Sequence, residues 1–176
     1  SMEEHNQEIE AIINNPETPN FANTIVALEK SGARLDQVTT VFGNLLSAET
    51  NDEMQAIAER VMPKLSEHSN NISLNEKLFA RIKAVYESTD KEQLNKEEQM
   101  LLQNTYDGFI RSGDNRNEEQ KERFRQISAE MSLLTLNFSQ NNLKETNAYE
   151  LVLTPEDLDG LPESTREAYA QNATER

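Results

Sequence analysis

The sequence predicts an all-α fold: antiparallel helical hairpins packed around one long helix, with one short extended segment near the C-terminus. Three observations carry this. No Gly or Pro falls between Asp114 and Thr154, and within that stretch Phe124, Ile127, Met131, Leu134 and Phe138 recur at alternating spacings of three and four, one stripe of an α-helix. Asparagines stand just ahead of the apolar-periodic segments, at Asn51, Asn75, Asn95 and Asn117, where their side chains suit N-caps. Only Tyr149 to Leu153 alternates in the manner of a strand, and the chain offers it no partner.

Taken in order, Glu3 to Ile13 reads as the end of an amphipathic helix with Ile9, Ile12 and Ile13 on one side. Asn14 to Asn20 is a loop, since its two prolines and its asparagines favour turns. Phe21, Ile25 and Leu28 mark a short helix ended by Gly32 at the C′ position. Leu35, Val38, Phe42 and Leu45 carry the next helix, in which Gly43 is expected to mark the close approach of a neighbour. Met54, Ile57, Val61 and Leu65 form the stripe of a fourth, where Pro63 should introduce a kink or a restart. Leu78, Ile82, Val85 and Tyr86 define a fifth; Leu102, Tyr106 and Phe109 define a sixth, stopped by Gly113. The long helix then runs from Asn117 to about Thr146. Leu133, Leu136 and Leu143 widen its apolar face, and each buried Leu or Phe contributes roughly 1.5–3 kcal/mol, so it is expected to nucleate the core. Thr154 and Pro155 open a brief helical turn, and Pro162 begins a last helix. The expected division is a helical domain over residues 1–147 and an extended segment with a terminal helix over residues 148–176.

Composition narrows the function classes. The 176 residues suffice for a domain of ordinary size. There is no Cys, which excludes a disulfide framework, a zinc ribbon and a thiol nucleophile. With 32 acidic against 17 basic residues the formal charge is −15, which repels phosphate backbones and argues against nucleic acid as a partner. The most basic run, Lys121 to Arg125, alternates with glutamates, and i,i+4 pairing accounts for it. No run of about 18 apolar residues is present to span a membrane, and no secretory signal is visible in these residues. The compartment expected is cytoplasmic. The Ser ahead of Met2 suggests an added residue, so both ends are expected to be cut ends.

No catalytic, cofactor-binding or metal-binding constellation is visible. The two histidines are His5 and His68; a helical zinc motif needs two His four apart with a Glu beside the first, and neither histidine has that company. His68 extends the stripe Val61, Leu65, Ile72 and reads as a core or boundary residue. Glu53, Glu59, Glu67, Glu92, Glu97 and Glu98 read as solvated helix faces. Asp114 to Glu118 has calcium-like letters without the Gly and distal Glu of a calcium loop. Phe138 to Asn142 could line a groove, though bonds to neighbouring helix ends account for such residues more simply.

Several phrases, in order, resemble one family. They are Asn14-Asn15-Pro16-Glu17-Thr18-Pro19-Asn20-Phe21 through Asn23-Thr24-Ile25 to Gly32, then Val41 to Leu45, Thr50 to Glu53 and Met62 to His68. Phe138 to Leu143, Thr146 to Tyr149 and Leu158 to Glu163 complete the set. Together they are similar to the N-terminal region of the peptidyl-dipeptidase, oligopeptidase A and thimet oligopeptidase family of zinc metallopeptidases, most of all its bacterial peptidyl-dipeptidase branch. The resemblance implies a parent several times longer, with two helical lobes around a channel that admits short peptides. It implies a zinc held by a His-Glu-x-x-His helix and a later Glu in the C-terminal half, whose motif Glu activates water. No position of this chain matches those residues, so the resemblance implies a non-catalytic part of the channel wall, with short peptides and the C-terminal catalytic part of the same polypeptide as partners. The alternative is a stand-alone helical module that binds peptides or a partner helix.

Overall fold

Among the described residues, helix α5 (Glu76–Ser88) contributes more buried core side chains than any other element. Its Leu78, Ile82 and Val85 have no exposed surface, and they meet Ile9 and Ile12 of α1 (Met2–Ile13), Ile25 and Leu102. The computed structural model describes residues 1–112 and 117–174, all-α and without a strand among those residues. It divides into two units, 1–137 and 138–176.

In the first unit, α1 leads through the loop at 14–20 into a π-helical turn, Phe21–Val26, that continues as α2 (Ala27–Lys30). Asn20 and Asn23 form a reciprocal cap: Asn23 N–H donates to Asn20 Oδ1 at 2.9 Å, and Asn20 N–H to Asn23 Oδ1 at 2.9 Å. Gly32 follows with φ +73°, a left-handed residue closing the helix as its composition predicts. Then come α3 (Ala33–Ala48), α4 (Asp52–Ser73), α5, a 3₁₀ turn at Lys91–Gln93 and α6 (Lys96–Ser112). The predicted asparagine caps are in place. Asn51 Oδ1 accepts from Met54 N–H at 2.9 Å, Asn75 Oδ1 from Leu78 N–H at 3.0 Å and Asn95 Oδ1 from Glu98 N–H at 3.0 Å. Asn117 Oδ1 likewise accepts from Gln120 N–H at 2.9 Å, at the start of α7 (Glu118–Ala148). Between α5 and α6 the aromatic rings stack: Tyr86 on Tyr106 at 3.9 Å, and Phe79 near Tyr106 and Phe109 at 5.8 and 6.1 Å.

The second unit holds the end of α7, a turn at Glu156–Leu158 and α8 (Glu163–Thr174). Asp157 accepts from both the Thr154 N–H and hydroxyl, at 2.8 and 2.9 Å, which draws its carboxyl below the usual range. Gly160, φ +78°, turns the chain toward α8, and Arg166 Nε donates to Leu161 C=O at 3.1 Å.

Four expectations need correction. The long helix is not the core's centre: on α7 Ile127 is 41% exposed, Met131 and Leu134 59% and Phe138 76%. Periodicity identifies an apolar face; it does not say what covers it. Residues 149–154 form no strand, and Leu151 and Val152 are exposed. Gly43 has open space where a Cβ would stand, and Val38 and Leu45 on the same helix are exposed, so no neighbour approaches there. Of the kink or restart expected at Pro63, the restart is ruled out, because α4 runs through it. The Gly113 stop and the calcium-like letters at Asp114 to Arg116 lie outside the described residues.

This distribution of burial predicts opposite outcomes for two similar truncations. Ile82→Ala should lower the unfolding free energy by about 2–5 kcal/mol, and Leu134→Ala in the same chain by no more than about 0.5 kcal/mol. Denaturant titration of both variants decides the matter; equal losses would return α7 to the centre of the core.

Candidate functional site

Two residues that stand 63 positions apart, His5 on α1 and His68 on α4, meet at the turn between α2 and α3. Their Nδ1 and Nε2 atoms are 2.9 Å apart, and the ring centroids 4.9 Å. His5 Nε2 lies 3.2 Å from Ser31 Oγ, and the Ser31 hydroxyl donates to Leu28 C=O at 2.6 Å. This chain of bonds assigns the protons. Ser31 has one hydroxyl proton and spends it on Leu28, so its oxygen accepts from His5 Nε2–H. His5 Nδ1 is then bare and accepts from His68 Nε2–H. Beside them Glu8 accepts from Gly32 N–H at 2.7 Å. A Cβ on Gly32 would lie 2.7 Å from the His5 ring, so glycine is required there by space as well as by φ.

The Ser31–His5 contact has the composition of a nucleophilic pair but the opposite polarity. A general base must take the hydroxyl proton, whereas this imidazole donates to the oxygen. The arrangement joins α1, α4 and the α2–α3 turn. Next to it a shallow depression of about 420 Å³ is lined by Glu8, Ile12, Asn15, Asn23, Lys30 and Ser31. Its two charged lining residues, Glu8 and Lys30, are of opposite sign, and it has the chemistry of a surface recess.

Two further polar contacts were not legible in the sequence. Arg81, on α5, donates from Nη1 to Asn15 C=O at 2.9 Å and from Nη2 to Glu17 C=O and Asn23 Oδ1 at 3.4 and 3.5 Å. It thereby holds the Asn-Asn-Pro loop against the helix that carries the core. Lys121 is the buried residue of α7, and its ammonium is paired with Glu76 of α5 and with Glu118 at 3.2 Å. The bond to Glu76 holds the ammonium above its ordinary range and the carboxyl below its own. The basic run is therefore only partly a solvated face: Arg125 pairs with Glu122 at 3.5 Å, at i,i+3 spacing, while Lys121 bridges to another helix. In the second unit Gln140 is half-buried with its amide nitrogen unpartnered, and Asn141 and Asn142 are exposed.

His5 and His68 do not fit a zinc site, because each faces the other and no third ligand joins them. Among the described residues no group of three or more His, Asp or Glu side chains converges on a point that could hold a metal ion. No described helix is long and apolar enough to cross a membrane.

The histidine pair makes stability pH-dependent with a definite sign. Burial, then the charge of His68, lowers the His5 pKa against an opposing pull from Glu8; burial lowers that of His68. Both folded-state values lie below the ordinary 6.5, so the unfolded chain takes up protons first as pH falls. One imidazolium is compatible with the N–H···N bond; two would set donor against donor. The stabilisation is complete above the ordinary value and is lost as pH falls through the lowered ones. Melting curves between about pH 7 and about pH 5 should show an acid-side loss in the wild type that is absent in the His5→Gln/His68→Gln double variant; superimposable profiles would contradict the assignment. Gly32→Ala should cost at least about 1–2 kcal/mol at any pH, which denaturant titration checks.

No family model matches the chain. Known proteins do. It is 37% identical over 169 residues to a dipeptidyl carboxypeptidase of Salmonella typhimurium, covering 91% of this chain and 25% of the relative. It is 36% identical over 152 residues to the Escherichia coli dipeptidyl carboxypeptidase, covering 86% and 22%. At 28% identity over 166 residues it matches an oligopeptidase A of Haemophilus influenzae, covering 94% and 24%. The chain thus spans about a quarter of the length of these relatives. Across that span the chain is homologous to dipeptidyl carboxypeptidases, with oligopeptidases A further away.

Proposed function

We propose that this chain is the N-terminal helical part of a zinc metallopeptidase that cleaves short peptides, of the peptidyl-dipeptidase type, and that it forms part of the wall of the substrate channel without carrying the catalytic residues. The observation that supports this is the match to two dipeptidyl carboxypeptidases over most of this chain but only a quarter of theirs. In the proposed parent the zinc and the water-activating Glu belong to the remaining polypeptide, and this chain contributes shape and stability. A cytoplasmic setting goes with the reading: one plant relative is named a probable cytosolic oligopeptidase A, although another is named organellar.

Two experiments test it. The isolated chain, supplied with zinc and a short peptide, should show no turnover; zinc-dependent cleavage scaling with its concentration would end the non-catalytic reading. A chimera in which this chain replaces the matching quarter of the Salmonella dipeptidyl carboxypeptidase should fold and release dipeptides from peptide C-termini. If the chimera is soluble and holds zinc but leaves peptides intact, the proposed place in the channel wall is wrong.

A further inference from the structure

Helix α7 has two faces, and the chain's own packing uses one of them. Lys121, Arg125, Ser128, Ser132 and Leu136 are buried or half-buried and lie on one side, with Phe124 and Leu133 half-buried at its two edges. Ile127, Met131 and Leu134 lie roughly 120° around the helix, and they are exposed. A scattered exposed Leu needs no explanation, but a row of large apolar side chains at alternating three- and four-residue spacing is the seam on which another helix packs. Beside the row, Thr135 and Asn137 are uncharged, Glu130 is acidic and Arg123 is basic.

We propose that this row is a docking face for an amphipathic helix from the polypeptide outside the quarter of the family's length represented here. The proposal rests on the reading of the chain as part of a longer peptidase. The length argument selects the occupant: the relatives share this region and carry some three times as much chain beyond it. The chemistry describes that helix. It presents apolar residues at the same three-four spacing, flanked by neutral or basic residues that tolerate Glu130 and a chain of net charge −15. The other occupants are solvent and a second copy of this chain.

The triple variant Ile127→Gln, Met131→Gln, Leu134→Gln tests the face, since Gln preserves helix propensity while removing the apolar surface. In the isolated chain it should leave the melting temperature unchanged, because the three side chains are already exposed. In the chimera described above it should lower the melting temperature by roughly 5 °C or more and reduce peptide cleavage at least about tenfold. A chimera that loses neither overturns the docking face while leaving the peptidase reading intact. An unsubstituted chimera that is folded but inactive removes that reading and this inference with it. Sedimentation of the isolated chain as a dimer that the triple variant dissociates would overturn the proposal in favour of self-association.

Discussion

The structure of the first unit depends on one helix being buried on one face and tethered on others. Leu78, Ile82 and Val85 of α5 are fully buried against α1, α6 and the π-helical turn. The same helix begins with Asn75, whose side chain satisfies the N–H groups of Lys77 and Leu78. Its Glu76 receives the Lys121 ammonium, and its Arg81 reaches the carbonyls of Asn15 and Glu17. A helix of 13 residues, marginal by itself in water, thus carries the core, the start of α7 and the Asn-Asn-Pro loop together. Loss of its buried face would release all three, because each polar tether assumes the position that the apolar packing sets.

The fold class and most element positions were legible because they rest on local physics. The asparagine caps, the left-handed Gly32 and the apolar stripes of α1, α5 and α6 follow from spacing and side-chain chemistry within a few residues. What was not legible is pairwise and long-range. The stripe on α7 and the stripe on α5 look alike in sequence, yet one is exposed and the other enclosed. Nothing local joins His5 to His68, or Arg81 to Asn15, across more than 60 residues. Lys121 sits among glutamates at helical spacing, which suggests an exposed ladder; instead it is buried and its ammonium pairs with Glu76, on a different helix.

The histidine contact shows why a site must be read from protons and not from residue types. Ser31, His5 and Glu8 within a few ångströms include the residue kinds of a hydrolase, and a recess lies alongside. The Leu28 carbonyl takes the Ser31 proton and thereby fixes the direction of every bond upstream, while Glu8 is occupied by the Gly32 amide. These interactions hold three segments in register. A base would have to be freed before any of them could begin a reaction.

That conclusion bears on what the family relationship means. Within the Asn-Asn-Pro to Gly32 phrase, each residue whose contacts are resolved here has a structural duty. Asn15 offers its carbonyl to Arg81, Asn20 and Asn23 cap each other, Ile25 enters the core, Ser31 accepts from His5, and Gly32 adopts a conformation and a closeness that a side chain would forbid. A sequence likeness built from such residues transmits a fold. It transmits chemistry only through the polypeptide that the fold supports, and so the kinship with dipeptidyl carboxypeptidases directs attention to the exposed face of α7, where this quarter has apolar surface that its own packing leaves unused.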